Sequence, residues 1–193
     1  MSAGNFGFLR RANLLFKSFK TRDIVLCGIF LSFLVVASYI RIPIFGIPFT
    51  LQVFAVMLIG QILGAKRGFF TVLTYILCGT LGIPVFTGGG GLSYVLTPTY
   101  GYISGFAVAV LITGHFSKKS LRRVKIFGNF LALIPIYVFG LVHYFLISNL
   151  YLKNEVGIKY ILVFGFIIFL PLDILYSVLS VFLAERIKKF IKM

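Results

Sequence analysis

The sequence predicts an all-α integral membrane fold, and three observations carry that prediction. Hydrophobic residues make up 60% of the 193, mean hydropathy is +1.05, and Asp23, Glu155, Asp173 and Glu185 are the whole acidic complement. Such a chain cannot present an ordinary charged surface to water. Its apolar residues gather into six runs, approximately 24–40, 49–64, 69–83, 100–116, 127–150 and 160–187, each close to the length that crosses about 30 Å of hydrocarbon as a helix. The Lys and Arg residues stand at the ends of those runs. Six transmembrane helices in one domain spanning 1–193, opening with a basic segment 1–23, is the simplest reading, because no linker or shift in composition divides the chain.

Taken in order, the basic residues alternate across the membrane. Five precede or open the first helix (Arg10, Arg11, Lys17, Lys20, Arg22), two lie in the second loop (Lys66, Arg67), five in the fourth (Lys118, Lys119, Arg122, Arg123, Lys125) and four at the C-terminus (Arg186, Lys188, Lys189, Lys192). The first loop holds Arg41, the third none, the fifth Lys153 and Lys159. Cytoplasmic loops retain positive charge, so both termini are expected in the cytoplasm of a multi-pass plasma-membrane protein. The first apolar run follows basic residues as a signal peptide does, but it is long and lacks a convincing A-x-A site, so it is expected to remain as the first helix. A net charge of +15 raises nucleic acid as a partner. Charge clustered at the ends of apolar runs, rather than along one soluble face, argues against it.

The stretch 82–106, GIPVFTGGGGLSYVLTPTYGYISGF, breaks the lipid-like pattern with four consecutive glycines, three threonines and two prolines. Non-helical backbone at membrane depth persists only where protein covers it or where it lines a cavity. This loop faces outward by the charge pattern and is expected to form the mouth of a ligand pocket. Thr50 and Gln52 open the second helix, with Thr50 a candidate N-cap, and Thr97 and Thr99 flank Pro98 just before the fourth.

Asp173 is an ionisable residue inside an apolar run, which is costly enough to be read as functional. Pro171 is favoured in a first helical turn, so the last helix is expected to begin near Leu170 and to place Asp173 at its outer, positive end. Tyr176, Ser177 and Ser180 follow at i+3, i+4 and i+7, on the same face. Such a stripe either lines a site or bonds to neighbouring helices; its convergence with the glycine loop on one side of the membrane favours the site.

Other chemistry is weak. Cys27 and Cys78 lie within predicted helices, without metal-ligand spacing, and read as small buried thiols. Gly88 to Gly91 are followed by Leu92, Ser93 and Tyr94, not by the Lys and Ser or Thr of a phosphate loop. Neither His115 nor His143 is placed to approach Asp173, so an intramembrane hydrolase is not expected. The chain reads as no enzyme, with no cofactor and no metal.

The strings IPFTLQ, LGAKRG, LGIPVFTGGGGLSYVLTPTYGYISGF and a late Leu-Pro-x-Asp, in this order and at these spacings, resemble the BioY family, the biotin-binding substrate-specific (S) components of energy-coupling factor transporters. The resemblance covers nearly the whole chain from Asp23 and is strongest between Pro48 and Phe106. It implies a six-helix S-component fold, with biotin held near the outer face under the loops joining helices one and two and helices three and four. Asp173 matches the family's Asp and would accept from the ureido N–H groups. Phe86, Tyr94, Tyr102 and Tyr176 are candidate flat walls. Gly88, Gly89, Gly90 and Gly91 would bring backbone N–H groups close, and Gln52 and Thr99 would add polar contacts.

Three positions depart from the family. Tyr176 stands where a Lys is common, which leaves Arg41 or Lys159 as candidate cations; His143 lies near the place of a Trp, and Tyr100 where a second glycine is frequent. The resemblance also implies partners, a membrane coupling subunit and two ABC-type ATPases, because nothing in the chain hydrolyses nucleotide. Gly28 and Ser32, a small-xxx-small pair on the first helix, are the candidate docking face. Solitary work, through self-association, and another small vitamin as substrate remain open at this stage.

Overall fold

The computed structural model describes residues 20–44 and 47–191, with side chains from 42 to 48 left aside. Arg10, Arg11, Lys17 and Lys192, and most of the basic segment 1–23, lie outside the described residues. At the start of helix α1 (Thr21–Tyr39), Asp23 accepts from the Lys20 backbone N–H at 3.2 Å. The other Asp23 oxygen meets Arg67 at 3.1 Å, tying the start of α1 to the second predicted loop.

Beyond α1 the structure departs from the expected helix start at residue 49. Strands β1 (Arg41–Ile44) and β2 (Ile47–Thr50) form an antiparallel hairpin, with Arg41 opposite Thr50 and Pro43 opposite Pro48. Proline forces extended backbone on the residue before it and is tolerated where no ladder partner is needed. The helix is therefore delayed to Gln52. Thr50 is not its N-cap, which is Leu51, although the Thr50 hydroxyl still accepts from the Gln52 N–H at 3.4 Å.

Helix α2 (Gln52–Thr80) consists of two helical arms joined at Gly64, where φ is 78° and ψ is 177°. The chain reverses there. Gln52 reaches Tyr75 across the reversal, Nε2 donating to the Tyr hydroxyl at 2.9 Å, and a Cβ on Gly68 would lie 3.6 Å from the Gly60 Cα. The second and third apolar runs are thus the two arms of a helical hairpin. The first arm, 52–63, is only about 18 Å long, and every residue from 55 to 63 is buried. An arm that is apolar all round belongs inside protein rather than against lipid.

Helix α3 (Tyr100–Phe116) follows a loop that carries a short 3-10 turn, Leu92–Leu96. Glycines let it approach its neighbours closely: a Cβ on Gly105 would sit 2.8 Å from the Ile136 Cα, and one on Gly114 would sit 2.2 Å from the Ala65 N. Helix α4 (Arg122–Leu146) runs on through a π turn, Ile147–Tyr151. Helix α5 (Ile158–Leu162) likewise runs into a π turn, Val163–Ile167, before helix α6 (Leu170–Phe190) begins with Pro171 in its first turn. Thr21–Tyr39, Arg122–Tyr151 and Ile158–Phe190 are each long and apolar enough to cross a membrane; Gln52–Thr80 matches them in length and composition but doubles back at Gly64, and the 17-residue α3 is a shorter apolar helix. The molecule is a mostly helical, multi-pass membrane protein.

A polar network joins α2, α4 and α6 in the interior. Asn129 Nδ2 donates to the Ser177 carbonyl and to Ser180 Oγ, both at 2.9 Å, while its Oδ1 accepts from Gln61 Nε2 at 2.8 Å. Ser177 Oγ donates to the Asp173 carbonyl at 2.7 Å. Ser177 and Ser180, expected to share a site with Asp173, therefore serve helix packing.

Candidate binding cavity

A cavity of about 630 Å³ of empty space, its open mouth included, lies between the hairpin, the 81–99 loop and helices α2, α3, α4 and α6. Asp173 lines it from the first turn of α6 and is 5% exposed. The carboxylate is held by Tyr137 of α4, whose hydroxyl donates to Oδ2. Asp173 stands in the first turn of α6, as expected, and its own N–H makes the first bond of the helix, to the Phe169 carbonyl at 3.1 Å. Asp173 Oδ1 has no hydrogen bond among the described residues, and no fully buried side-chain polar atom is left without a partner, so Oδ1 opens on the cavity.

Aromatic rings make the walls. Tyr102 donates its hydroxyl to the Gly165 carbonyl at 2.8 Å and meets Tyr137 edge-on at 6.4 Å between centroids. Phe166 packs edge-on behind Tyr137 at 4.6 Å. Phe49 of the hairpin stacks on Phe169 at 4.8 Å with 12° between planes. Offset and edge-on arrangements of this kind are the favourable ones for aromatic pairs, and here they lock the walls. Val53, Ile103, Phe106 and Ile136 complete the apolar lining.

Polar side chains from the loops and helix starts form a second side of the cavity: Thr50, Gln52, Thr87 and Thr99. Gln52 Oε1 accepts from Thr50 at 3.0 Å and from Thr87 at 3.1 Å, while its Nε2 is committed to Tyr75. The amide is thereby fixed in one orientation.

Of the residues expected in a site, Asp173, Gln52, Tyr94, Thr99 and Tyr102 line this cavity, and Phe86, Tyr176 and Gly88 to Gly91 do not. Phe86 is wholly buried behind Tyr94, 4.8 Å between centroids, against Tyr75. The glycines fold the loop on itself. The Gly89 N–H donates to the Phe86 carbonyl at 3.1 Å and the Gly91 N–H to the Gly79 carbonyl at 2.7 Å, so those donors are spent inside the loop. Gly90 packs where a Cβ would lie 2.3 Å from the Ile83 carbonyl oxygen. Tyr176, although on the same face of α6 as Asp173, turns its ring toward Phe54, 5.6 Å away between centroids. Tyr137, Phe49, Thr87 and Phe169 were not foreseen as lining. Phe169 had a signal, standing four residues before Asp173 and so on its helical face.

With the geometry in place, comparison with known proteins identifies the lineage. A model described as BioY family matches residues 11–193. The chain belongs to the BioY family. Among BioY proteins, the "Probable biotin transporter BioY" of Lysinibacillus sphaericus is 36% identical over 176 residues, covering 90% of each chain. That of Pyrococcus horikoshii is 35% identical over 170 residues, covering 88% of this chain and 98% of its own. The "Biotin transporter BioY" of Thermotoga maritima is 34% identical over 170 residues, covering 87% and 96%. The fold is shared with a solved structure titled as the S-component for biotin from an ECF-type ABC transporter, at TM-score 0.76 and 20% identity, covering 89% of this chain and 95% of that one.

Proposed function

We propose that this BioY-family protein is a single-domain biotin-binding subunit for biotin uptake, with six membrane crossings, both termini in the cytoplasm and the cavity toward the outer face. The carrying observation is the Asp173 carboxylate, whose Oδ1 is a free acceptor in a buried, aromatic-walled cavity. Biotin's ureido ring brings N–H donors to such an acceptor, and its apolar ring edges and thioether suit the walls made by Tyr102, Phe49, Phe169 and Tyr94. A carboxylate left with an open acceptor in an apolar surround gains most from a ligand that donates to it. The likeness to relatives named biotin transporters supports the same substrate.

Energy would come from outside the chain, from a membrane coupling subunit and ABC-type ATPases. The exposed face of α1 is where such a subunit would dock. A Cβ on Gly28 would meet nothing within 4 Å, and Ser32 turns its hydroxyl back to the Gly28 carbonyl at 3.1 Å, leaving a shallow, small-residue strip between exposed Val25, Ile29 and Val36.

The test is titration of the purified, detergent-solubilised protein with biotin, with thiamine and riboflavin as controls. Saturable binding of biotin alone is expected, and Asp173→Asn is expected to weaken it by about tenfold or more, the loss of a hydrogen bond to a charged group. A folded Asp173→Asn protein with wild-type affinity would remove Asp173 from the site, and binding of thiamine or riboflavin in place of biotin would move the substrate elsewhere.

A further inference from the structure

The cavity contains one carboxylate and no cation in its wall, yet a cation stands at its loop side. Arg41 Nη1 donates to the Thr87 carbonyl at 2.9 Å, and the Thr87 side chain lines the cavity. Independently, Arg41 lies directly opposite Thr50 in the antiparallel hairpin, and Thr50 also lines the cavity. Residues paired across two antiparallel strands project to the same face, so the Arg41 side chain lies on the Thr50 side of the hairpin.

Arg41 also carries unspent charge. Asp23 is paired with Arg67, Glu185 with Arg122 and Lys125, and Asp173 with the Tyr137 hydroxyl; Arg41 enters no ion pair among the described residues. One of five guanidinium N–H donors serves Thr87, and the fork that remains matches a carboxylate. Lys159, the other cation considered from sequence, sits on α5, which contributes nothing to the cavity wall.

Resting on the biotin reading above, we infer that Arg41 is the subsite for the ligand's terminal carboxylate: Asp173 and Tyr137 take the ring, and Arg41, steadied by Thr87, takes the charged end of the tail. Specificity then has two separate parts, a donor-bearing ring at Asp173 and an anionic tail at Arg41. An uncharged tail fits the same cavity and forfeits only the second part.

The experiment titrates wild type, Arg41→Gln and Arg41→Lys with biotin and with biotinamide, which keeps ring and chain but ends in a neutral amide. Wild type is expected to prefer biotin by about ten- to hundredfold, the worth of a charge-assisted hydrogen-bonded pair. Arg41→Gln should bind both compounds at about the wild-type biotinamide affinity, and Arg41→Lys should keep part of the preference. Equal weakening of both compounds by Arg41→Gln would overturn the inference, because Arg41 would then act only by holding the Thr87 loop. Undiminished biotin affinity in Arg41→Gln, or a wild type indifferent to the two tails, would overturn it while leaving the biotin reading intact. A folded wild type that bound neither compound would remove the biotin reading and this inference with it.

Discussion

Gly140 touches no ligand space, yet replacing it with alanine should reshape the cavity. A Cβ at this position of α4 would stand 2.3 Å from Cδ1 and from Cε1 of Tyr102. Carbon atoms rest about 3.5–4.0 Å apart, so the ring must retreat by more than about 1 Å. It has little freedom to do so. Its hydroxyl is held by the Gly165 carbonyl at 2.8 Å, its edge meets Tyr137, and its open side is the cavity. Overpacking of this kind costs about 1–3 kcal/mol, and relief by movement into the cavity takes space from the ligand. Gly140→Ala is therefore expected to lower the thermal midpoint and to weaken biotin by about tenfold. The assay is biotin titration with thermal unfolding in the same detergent, run also on Tyr102→Ala and on the double variant. Once the ring is gone the added methyl has nothing to strike, so the double variant should match Tyr102→Ala alone, a strong departure from additivity. Wild-type affinity and midpoint in Gly140→Ala, or additive losses in the double variant, would refute the reasoning.

Asn129→Leu strips the bonds that join α2, α4 and α6, leaving Gln61 Nε2 only its long contact to the Lys125 carbonyl at 3.5 Å and Ser180 Oγ only the Ser177 carbonyl at 3.3 Å among the described residues. Buried groups in that condition cost about 1–3 kcal/mol each, so the thermal midpoint should fall while biotin affinity stays within about twofold, since Asn129 does not line the cavity. Phe86→Ala should lower stability by about 3–5 kcal/mol and also weaken biotin, because Tyr94 loses the ring behind it; unfolding and titration on one sample separate it from Asn129→Leu. At Gly64, with φ 78° and ψ 177° and nothing within 4 Å of an added Cβ, the penalty is pure backbone. Ala and Asn should both destabilise by about 1–3 kcal/mol, as that region of backbone space belongs to glycine alone; an Asn variant as stable as wild type would show that the turn can relax to an ordinary left-handed conformation.

Much of this was readable before the structure. The apolar runs, the basic residues at their ends and the glycine loop report how each segment divides between water and lipid, a property of composition along the chain. The start of α6 at Leu170 and the place of Asp173 in its first turn followed from Pro171. The Arg41–Thr50 hairpin was hidden because two strands of four residues each, flanked by apolar helices, have no periodicity long enough to read. Gly88 to Gly91 read as ligand contacts, yet loop closure alone uses the Gly89 and Gly91 N–H groups, and Ser177 and Ser180 read as site residues, yet Asn129 claims them.

The sequence by itself determined a membrane-embedded helical protein with an intramembrane carboxylate and a glycine-rich polar loop, because partition between water and hydrocarbon acts residue by residue. Only the tertiary structure decided that Tyr137 rather than Tyr176 attends Asp173, that Phe86 supports the wall instead of forming it, and that Arg41 rather than Lys159 stands at the cavity. Those outcomes depend on how helices cross and rotate against one another, and a contact between residues 36 positions apart, as between Tyr137 and Asp173, leaves no local trace in the chain.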